Sequence, residues 1–267
     1  MKQIFFTLLI TLFAVAGYSQ KQAGQSAWAP ENIKVDGITN EWTQPFPFMD
    51  KRGKFEYFIS NDQDNLYVII RAFDPMLHQK IMRAGMEVQL TTKIKKRLKA
   101  TVVYPLTRPA RQGNQVAQRA DPSVLRQNFM AANRQMRVSG LQSRKGLVSN
   151  TGIEGLSAVI DWESNFIMGY ELSVPLKEFY GEAYDIEDAL NNPIDVRITF
   201  KAMTQPQGGR PGGSSGGRSG GRGGGRTGGG APGGGGRMGG GAQQGGAQSE
   251  MFSAITSKTK IILSREK

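Results

Sequence analysis

Apolar and polar residues alternate, or apolar residues form short runs, along most of the chain, which is the pattern of half-buried and buried β-strands. Residues 55–60 and 66–73 are two such runs, rich in Phe, Tyr, Val and Ile. The segment that joins them, 61–65, contains only Asn, Asp and Gln. Asn and Asp bond to nearby backbone and tolerate tight turns, so the sequence predicts a β-hairpin over 55–73.

Further strands are predicted where short apolar runs or alternation recur between turn residues. After a short first strand at 32–38, they are expected at 86–92, 100–106, 141–148, 153–162, 166–174, 196–203 and 252–263. Many short strands separated by turns are typical of an antiparallel β-sandwich. We therefore expect a mostly β protein with a jelly-roll-like antiparallel sandwich.

Two short helices are expected as insertions between the strands. Each begins at an Asp-Pro pair, Asp74-Pro75 or Asp121-Pro122, because Asp is a good N-cap and Pro fits the first helical position. The first helix is expected to end at Gly85. The second is expected to run to about Val138, with an apolar stripe formed by Leu125, Phe129, Ala132 and Met136. One helical turn is also predicted at 176–180.

The first 19 residues have the features of a secretory signal. Lys2 is the charged start, residues 4–16 are the apolar run, and Gly17-Tyr18-Ser19 provides small residues for cleavage. The apolar run is too short for a comfortable membrane span, and no other stretch is long enough to cross a bilayer. We therefore expect an exported protein, periplasmic or extracellular, with residues 20–267 forming a single domain and no transmembrane segment after signal removal.

Residues 206–248 interrupt this domain with a low-complexity tract. Gly occupies 23 of its 43 positions, and it contains no aromatic residue. Such a segment buries too little apolar surface to offset the entropy of ordering it, which predicts a disordered insertion between the last two strands. Arg-Gly tracts are typical of nucleic-acid binding, but an exported chain without aromatic residues for stacking does not favour that partner.

The formal charge of the chain is +12, and removing Lys2 and the five arginines of the Gly-rich tract from it leaves +6. An anionic partner, such as an anionic glycan, an envelope polymer or a membrane surface, is one explanation of this excess. A solvated, soluble face is the simpler explanation. The chain also contains no cysteine, which excludes disulfides, thiolate metal sites and thiol nucleophiles.

Two motifs resemble parts of the family 9 carbohydrate-binding modules. The first is Val35-Asp36-Gly37 followed by Glu41-Trp42 and, after the Asn and Asp turn, Leu66-Tyr67-Val68; the second is the run 169–176, Gly-Tyr-Glu-Leu-Ser-Val-Pro-Leu. That family is related to the wider DOMON-like β-sandwiches. The resemblance implies a non-catalytic module that binds carbohydrate. The alternative is a structural or partner-binding scaffold of the cell envelope without glycan activity.

Aromatic residues are the usual platforms for sugars, because the apolar face of a sugar stacks on a flat ring. Trp28, Trp162 and Tyr104 are the candidate ligand-binding residues, whereas Trp42 belongs to the fold motif and is expected in the core. Glycoside cleavage needs two carboxylates that face one cleft. Nothing in the sequence indicates that any two of Glu154, Asp161, Glu163 and Glu171 form such a pair. We therefore expect no enzyme activity.

Two further groups offer weaker chemistry. Asp62, Asp64 and Asn65 present oxygens at a spacing that could hold calcium, but the rest of a calcium loop is absent and a plain turn is the simpler explanation. His78 is the one histidine, which excludes a His-based catalytic zinc set. Some DOMON-like proteins bind haem through His and Met, so His78 with Met82 or Met86 is a conceivable pair. A partly exposed surface histidine is the simpler expectation, and no cofactor is predicted.

Overall fold

The computed structural model describes residues 23–52, 54–106, 122–163, 166–181, 185–204 and 250–266. The predicted signal, 1–19, and the predicted Gly-rich insertion, 206–248, lie outside these residues. Within the described residues, no helix combines the length and the apolar character needed to cross a membrane.

Strands are more numerous than helices in the described chain. The strands are β1 Gly24–Gln25, β2 Ala27–Trp28, β3 Phe48–Met49, β4 Phe55–Asn61, β5 Asn65–Ala72, β6 Met86–Lys93, β7 Arg97–Val103, β8 Gln135–Ser139, β9 Gly146–Ser149, β10 Ser157–Trp162, β11 Met168–Pro175, β12 Ile194–Phe200 and β13 Ile255–Ile262. The helices are α1 Pro75–Ala84, α2 Pro122–Ala132, α3 Leu176–Tyr180 and α4 Ile186–Asn191. The predicted hairpin is present as β4 and β5, with residues 62–64 between them.

The strands form two sheets. In the described residues, sheet A has the order β1-β13-β12-β6-β7-β8-β9, and sheet B has the order β10-β11-β5-β4-β2 with β3 also paired to β4. All pairings are antiparallel except β1 with β13 and β2 with β4. The mostly β, sandwich-like character predicted from the apolar pattern is confirmed.

One core lies between the two sheets, because each strand turns alternate side chains inward. Phe55 of sheet B and Phe200 of sheet A meet edge to face with ring centroids 4.7 Å apart. The hydroxyl of Ser257 in sheet A donates to the Tyr57 hydroxyl of sheet B at 3.1 Å. The early hairpin and the late strand β11 are neighbours in sheet B, with Tyr67 opposite Ser173.

Sheet B is also covered on its other face, and this explains why every residue of β4 is buried. The covering segment is residues 29–47, which we call the covering loop. Its Trp42 packs on Tyr67 with ring centroids 5.4 Å apart, and its Phe46 stacks on Phe58 at 5.5 Å. Burial on both faces gives a strand a continuous apolar run rather than alternation. Trp42 is a core residue, as the sequence predicts.

The first predicted helix is confirmed as α1. The Asp74 carboxylate accepts a hydrogen bond from the Leu77 backbone N–H at 2.8 Å, and the Gly85 N–H donates to the Ile81 carbonyl at 2.9 Å. The prediction of a short strand at 32–38 is wrong, since this segment consists of turns and irregular backbone in the covering loop.

The second predicted helix is too long. Helix α2 ends at Ala132, and Met136 and Val138 are buried residues of strand β8. Asn133 ends the helix by folding its side-chain amide back onto the Phe129 carbonyl at 2.8 Å. The apolar stripe expected on one helix therefore combined residues of α2, such as Phe129 and Ala132, with Met136 of strand β8. The helical turn predicted at 176–180 is present as α3, and the described residues contain one more helix, α4, beyond the two inserted helices and this turn.

Gly37 lies where the covering loop touches sheet B most closely. Its φ is +87°, and a Cβ placed there would lie 2.4 Å from the backbone nitrogen of Asp161. Opposite it, a Cβ on Gly169 would lie 2.2 Å from the Gly37 carbonyl oxygen. Gly146 has the same φ, +87°, but a Cβ on it would meet no atom within 4 Å.

Gly37 and Gly146 provide a matched test of the close contact. Gly146→Ala carries only the left-handed backbone strain, about 1–2 kcal/mol. Gly37→Ala carries that strain and a backbone clash, so we expect it to lower the free energy of unfolding by about 2 kcal/mol more. Urea denaturation of both variants measures the difference, and equal losses would show that the covering loop does not seat on β10 and β11 as described.

Candidate functional site

A buried carboxylate, Glu171, joins the two motifs that carry the family resemblance. Its Oε2 accepts hydrogen bonds from the backbone N–H groups of Asp36 and Gly37, at 2.8 and 2.7 Å. Its Oε1 accepts from the indole N–H of Trp42 at 2.5 Å. The residue is 1% exposed. The late strand thus holds the early turn and its tryptophan through one side chain.

Burial raises the pKa of Glu171 to about 7, although the hydrogen bonds from Trp42, Gly37 and Asp36 act in the opposite direction. A perturbed carboxyl in a cleft would be a candidate catalytic group. Here both oxygens face protein donors beneath the covering loop. The geometry therefore gives Glu171 a structural role.

A second charged cluster lies on the same face of sheet B. The Arg71 guanidinium contacts Glu56 at 2.8 Å, Glu163 at 3.1 Å and the Gln44 amide oxygen at 2.9 Å. Glu163 also accepts from the Thr39 hydroxyl. These contacts tie the covering loop to the sheet at a second point, so the cluster is part of the cover.

The candidate acids are therefore dispersed among separate contacts. Glu171 and Glu163 hold the covering loop, and Asp161 forms an ion pair with Arg126 of α2. Glu154 lies exposed in the turn before β10.

The three candidate aromatic residues do not share one surface. Trp28 lies on β2 opposite Asn61, at the end of β4. Trp162 lies on β10 opposite Met168, which in turn lies opposite Ala72 at the end of β5. Four strand steps of about 4.8 Å separate β2 from β10, which puts the two indoles roughly 19 Å apart across the sheet alone. They occupy opposite corners of sheet B.

Trp162 is half-buried beneath helix α2. The Phe129 ring meets it edge to face with centroids 5.7 Å apart, and the Arg126 guanidinium carbon lies 5.9 Å from the indole centroid. Both contacts come from one face of the helix. A sugar could stack on this indole only alongside or in place of these side chains.

Tyr104 is 3% exposed, and burial raises the pKa of its phenol to about 12. Its hydroxyl donates to the Asn133 carbonyl at 3.2 Å and accepts from the Asn150 side-chain amide at 3.2 Å. Asn150 in turn donates to the Ala158 carbonyl of β10 at 3.0 Å. These bonds hold Tyr104 at the edge of the sandwich, between sheet A and strand β10 of sheet B.

A cleft of about 420 Å³ opens at this edge, between the end of α2, the end of β9 and the edge of β10. Its lining combines hydroxyl, amide and guanidinium groups with two apolar side chains: Tyr104, Arg134, Ser149, Asn150 and Thr151 with Met130 and Val159. Arg134 is exposed and has no ion-pair partner among the described residues. We call this the edge cleft, and it is the candidate binding site.

Sequence reasoning found only Tyr104 of this lining. Arg134, Asn150 and Thr151 are polar residues of connections between short elements, and no motif marks them. The usable signal is Asn133-Arg134 directly after an apolar helical stripe, because Asn is disfavoured inside helices and stops them. That stop turns the chain toward β8 and places Arg134 at the cleft.

The proposed calcium oxygens are taken up by the hairpin turn. Asp62 Oδ1 accepts from the N–H groups of Asp64 and Asn65, at 2.8 and 2.6 Å, and Oδ2 accepts from the Tyr67 hydroxyl at 2.6 Å. The Asp64 carbonyl accepts from the Leu176 N–H at 2.7 Å, at the start of α3. Among the described residues, no group of three or more His, Asp or Glu side chains is arranged to hold a metal ion.

The expectation that His78 is a surface residue is wrong. Its side chain is buried in α1, with Nε2 2.8 Å from the Ala72 carbonyl oxygen. Burial lowers the pKa of His78, which favours the neutral ring with its proton on Nε2. Met86, one of the two methionines considered as a haem partner, is fully buried in the main core.

Comparison with known proteins identifies no related protein or structure. No protein-family model matches the chain, and no curated protein and no solved structure gives a significant match. The resemblance to family 9 carbohydrate-binding modules stays a prediction from the two motifs.

The raised pKa of Glu171 predicts a pH-dependent stability. The group is protonated in both states below its ordinary pKa of 4.5, and the folded protein holds the proton more tightly up to about pH 7. Its contribution to stability is therefore present below pH 4.5 and is lost as the pH rises to about 7. At about 1.4 kcal/mol per pKa unit, the loss of unfolding free energy is at most about 3–4 kcal/mol.

Glu171→Gln removes this titration and one acceptor. We expect the variant to be less stable at every pH, because a donor of the covering loop loses its partner. The gap in unfolding free energy between the wild-type protein and the variant should narrow from pH 5 to pH 7 and then stay constant. Chemical denaturation across this range measures it. A gap that widens with pH would show that the ionised carboxylate is the form the fold prefers.

Proposed function

We propose that the chain is an exported, non-catalytic binding module for carbohydrate or cell-envelope glycan, and that the edge cleft is its ligand site. The observation that carries this proposal is the lining of the cleft. It brings three hydroxyls, an amide and the Arg134 guanidinium around two apolar side chains, in one concavity at the rim of a rigid core.

This combination suits the chemistry of a sugar. A pyranose ring presents hydroxyls at its edge and C–H groups on its faces, so it needs hydrogen-bonding groups around a small apolar floor. Ser149, Thr151 and Arg134 supply the polar rim, while Met130 and Val159 supply the floor. The volume, about 420 Å³, falls in the range of roughly 300–1,000 Å³ that small ligands occupy.

Tyr104 holds the cleft in shape through Asn133 and Asn150, whereas Trp162, the second aromatic candidate, lies outside the cleft lining and packs against helix α2. Helix α2 runs from Arg126, over Trp162, to Met130 at the cleft. A glycan longer than one or two units could extend along this helix toward the indole. Trp28, at the far corner of sheet B, would belong to a separate contact.

The resemblance and the signal features support the rest of the proposal. The two motifs meet at Glu171, as expected if they belong to one module, and a jelly-roll-like arrangement is proposed because distant chain segments lie side by side in each sheet. Residues 1–19 support export to the periplasm or cell exterior. The absence of activity is proposed because Glu163, Asp161 and Glu171 already have protein partners.

The alternative is a structural or partner-binding envelope scaffold, and one residue favours it. Phe166, in the turn between β10 and β11, is 78% exposed and has a φ of +60°, which a bulky side chain rarely adopts. An exposed ring held in a strained turn is suited to insertion into a partner protein.

Isothermal titration against a panel of neutral oligosaccharides and oligogalacturonates tests the glycan proposal. The double variant Arg134→Gln/Thr151→Val removes a donor and a hydroxyl from the cleft rim without disturbing the core. We expect the wild-type protein to bind at least one member and the variant to bind it about tenfold more weakly, since about 1.4 kcal/mol is lost with these contacts.

Arg83→Gln is the matched control, since Arg83 is an exposed arginine on α1, away from the cleft. The Arg83→Gln variant should bind the oligosaccharide with the same affinity as the wild-type protein. No heat with any sugar would overturn the glycan proposal. A partner that co-purifies in fixed ratio, is lost in Phe166→Ser and is kept in the cleft variant would establish the scaffold instead.

A further inference from the structure

The outer face of sheet A differs from that of sheet B. Strands β6, β7, β8, β12 and β13 all turn their inward residues into the core and their alternate residues outward. On sheet B the outward residues lie under the covering loop. On sheet A most of them are exposed, and we call this surface the basic face.

The register places the polar groups of the basic face in rows across the sheet. One row runs Lys258, Arg197, Gln89, Thr101 and Ser139 from β13 to β8. The next row runs Lys260, Asp195, Thr91 and Lys99. Neighbouring strands lie about 4.8 Å apart and alternate residues about 6.8 Å apart, so the rows form a closely spaced array of cations and other polar side chains.

The charge of this array is strongly one-sided. The strands of sheet A carry seven cations, namely Lys93, Arg97, Lys99, Arg137, Arg197, Lys258 and Lys260. They carry two acids, Glu87 and Asp195. Asp195 lies 3.8 Å from Lys260, and Glu87 lies 3.7 Å from Lys201, which follows β12. The other six cations of the strands have no ion pair among the described residues.

We infer that the basic face binds an extended acidic polysaccharide, through a surface distinct from the edge cleft. Charge complementarity selects a polyanion, because like charges this close favour a partner that neutralises several of them at once. Between the cations, Gln89, Thr101 and Ser139 offer donors and acceptors to the hydroxyls of a sugar chain, whereas Thr91 is buried. The face extends over several neighbouring strands, so a long polymer that lies across them can contact several rows at once.

Two other polyanions fit the face less well. Nucleic-acid binding surfaces add aromatic rings on which bases stack, and the outward residues of these strands include none in the described chain. Surfaces that attach to anionic membranes add apolar side chains that enter the lipid. On the basic face, Leu147 at the edge strand β9 is the one large apolar side chain that is more than one-third exposed among the described residues.

The test compares two triple variants of the full chain with the same change in charge. Lys99→Gln/Arg197→Gln/Lys258→Gln removes the centre of the basic face. Lys34→Gln/Lys51→Gln/Lys177→Gln removes three exposed lysines elsewhere. Both variants retain the five arginines of the Gly-rich tract, so any binding by that tract is the same in each. The probe is polygalacturonate, with neutral dextran as the uncharged polymer.

We expect the wild-type protein to bind polygalacturonate at low ionic strength, and to bind it more weakly as salt screens the contacts. The basic-face variant should bind roughly tenfold or more weakly, and the control variant should stay within about twofold of the wild type. Neutral dextran should not bind to the face. Thermal unfolding midpoints of the two variants should agree, because all six positions are exposed.

Three results would overturn the inference: no binding of polygalacturonate, equal losses in the two triple variants, or equally tight binding of single-stranded DNA or phosphatidylglycerol vesicles. The cleft variant Arg134→Gln/Thr151→Val separates the two proposals. If the basic face is the site, the cleft variant should bind polygalacturonate as tightly as the wild-type protein does. This holds whether the variant has lost affinity for short oligosaccharides or the wild-type protein never bound them.

Discussion

The Glu171 carboxylate is the interaction on which the arrangement of this protein depends. It is a buried acid that gains three hydrogen bonds from the covering loop, two from backbone and one from the Trp42 indole. Without it, two backbone donors and an indole N–H would face an apolar sheet without partners, and an unmade buried hydrogen bond costs about 1–3 kcal/mol. The aromatic packing of Trp42 and Phe46 covers the sheet, but the carboxylate sets where the loop sits.

The covering loop makes the two sheets of the sandwich unequal. Sheet B is buried on both faces, because the covering loop shields the outer residues of β4 and β5. Sheet A is apolar only on its inner face, and its outer face keeps a row-by-row pattern of hydroxyls and cations exposed. The Arg71 cluster illustrates the same difference, since charges on the covered face are neutralised by close partners, whereas those on the basic face mostly are not.

The edge cleft forms where helix α2 and the end of β9 meet the edge strand β10 of sheet B. Helix α2 lies along β10, and its early stop at Asn133 leads the chain into β8 instead of continuing over the edge. Tyr104 and Asn150 follow two strands of sheet A, and Asn150 donates both to the Tyr104 hydroxyl and to the Ala158 carbonyl of β10, which joins the two sheets at this corner. The polar lining of the cleft is thus held by the ends of rigid elements, which is how small-molecule sites are commonly positioned. Two polar surfaces, the edge cleft and the basic face of sheet A, are proposed to bind glycans of different lengths.

The local elements were largely accessible from the sequence by itself. The hairpin over 55–73, the Asp74 cap of α1, the stop at Gly85 and the strands near 86–92 and 196–203 each follow from neighbours within a few residues. Trp42 was also correctly placed in the core. The tertiary structure alone decided that 32–38 covers a sheet instead of forming a strand, that Met136 belongs to β8, that Trp28 and Trp162 lie at opposite corners, and that Arg134 and Asn150 share a cleft with Tyr104. The reason is physical: alternation and caps are encoded by adjacent residues, whereas the Glu171 contacts join positions more than 120 apart in the chain, and no local pattern records such a pairing.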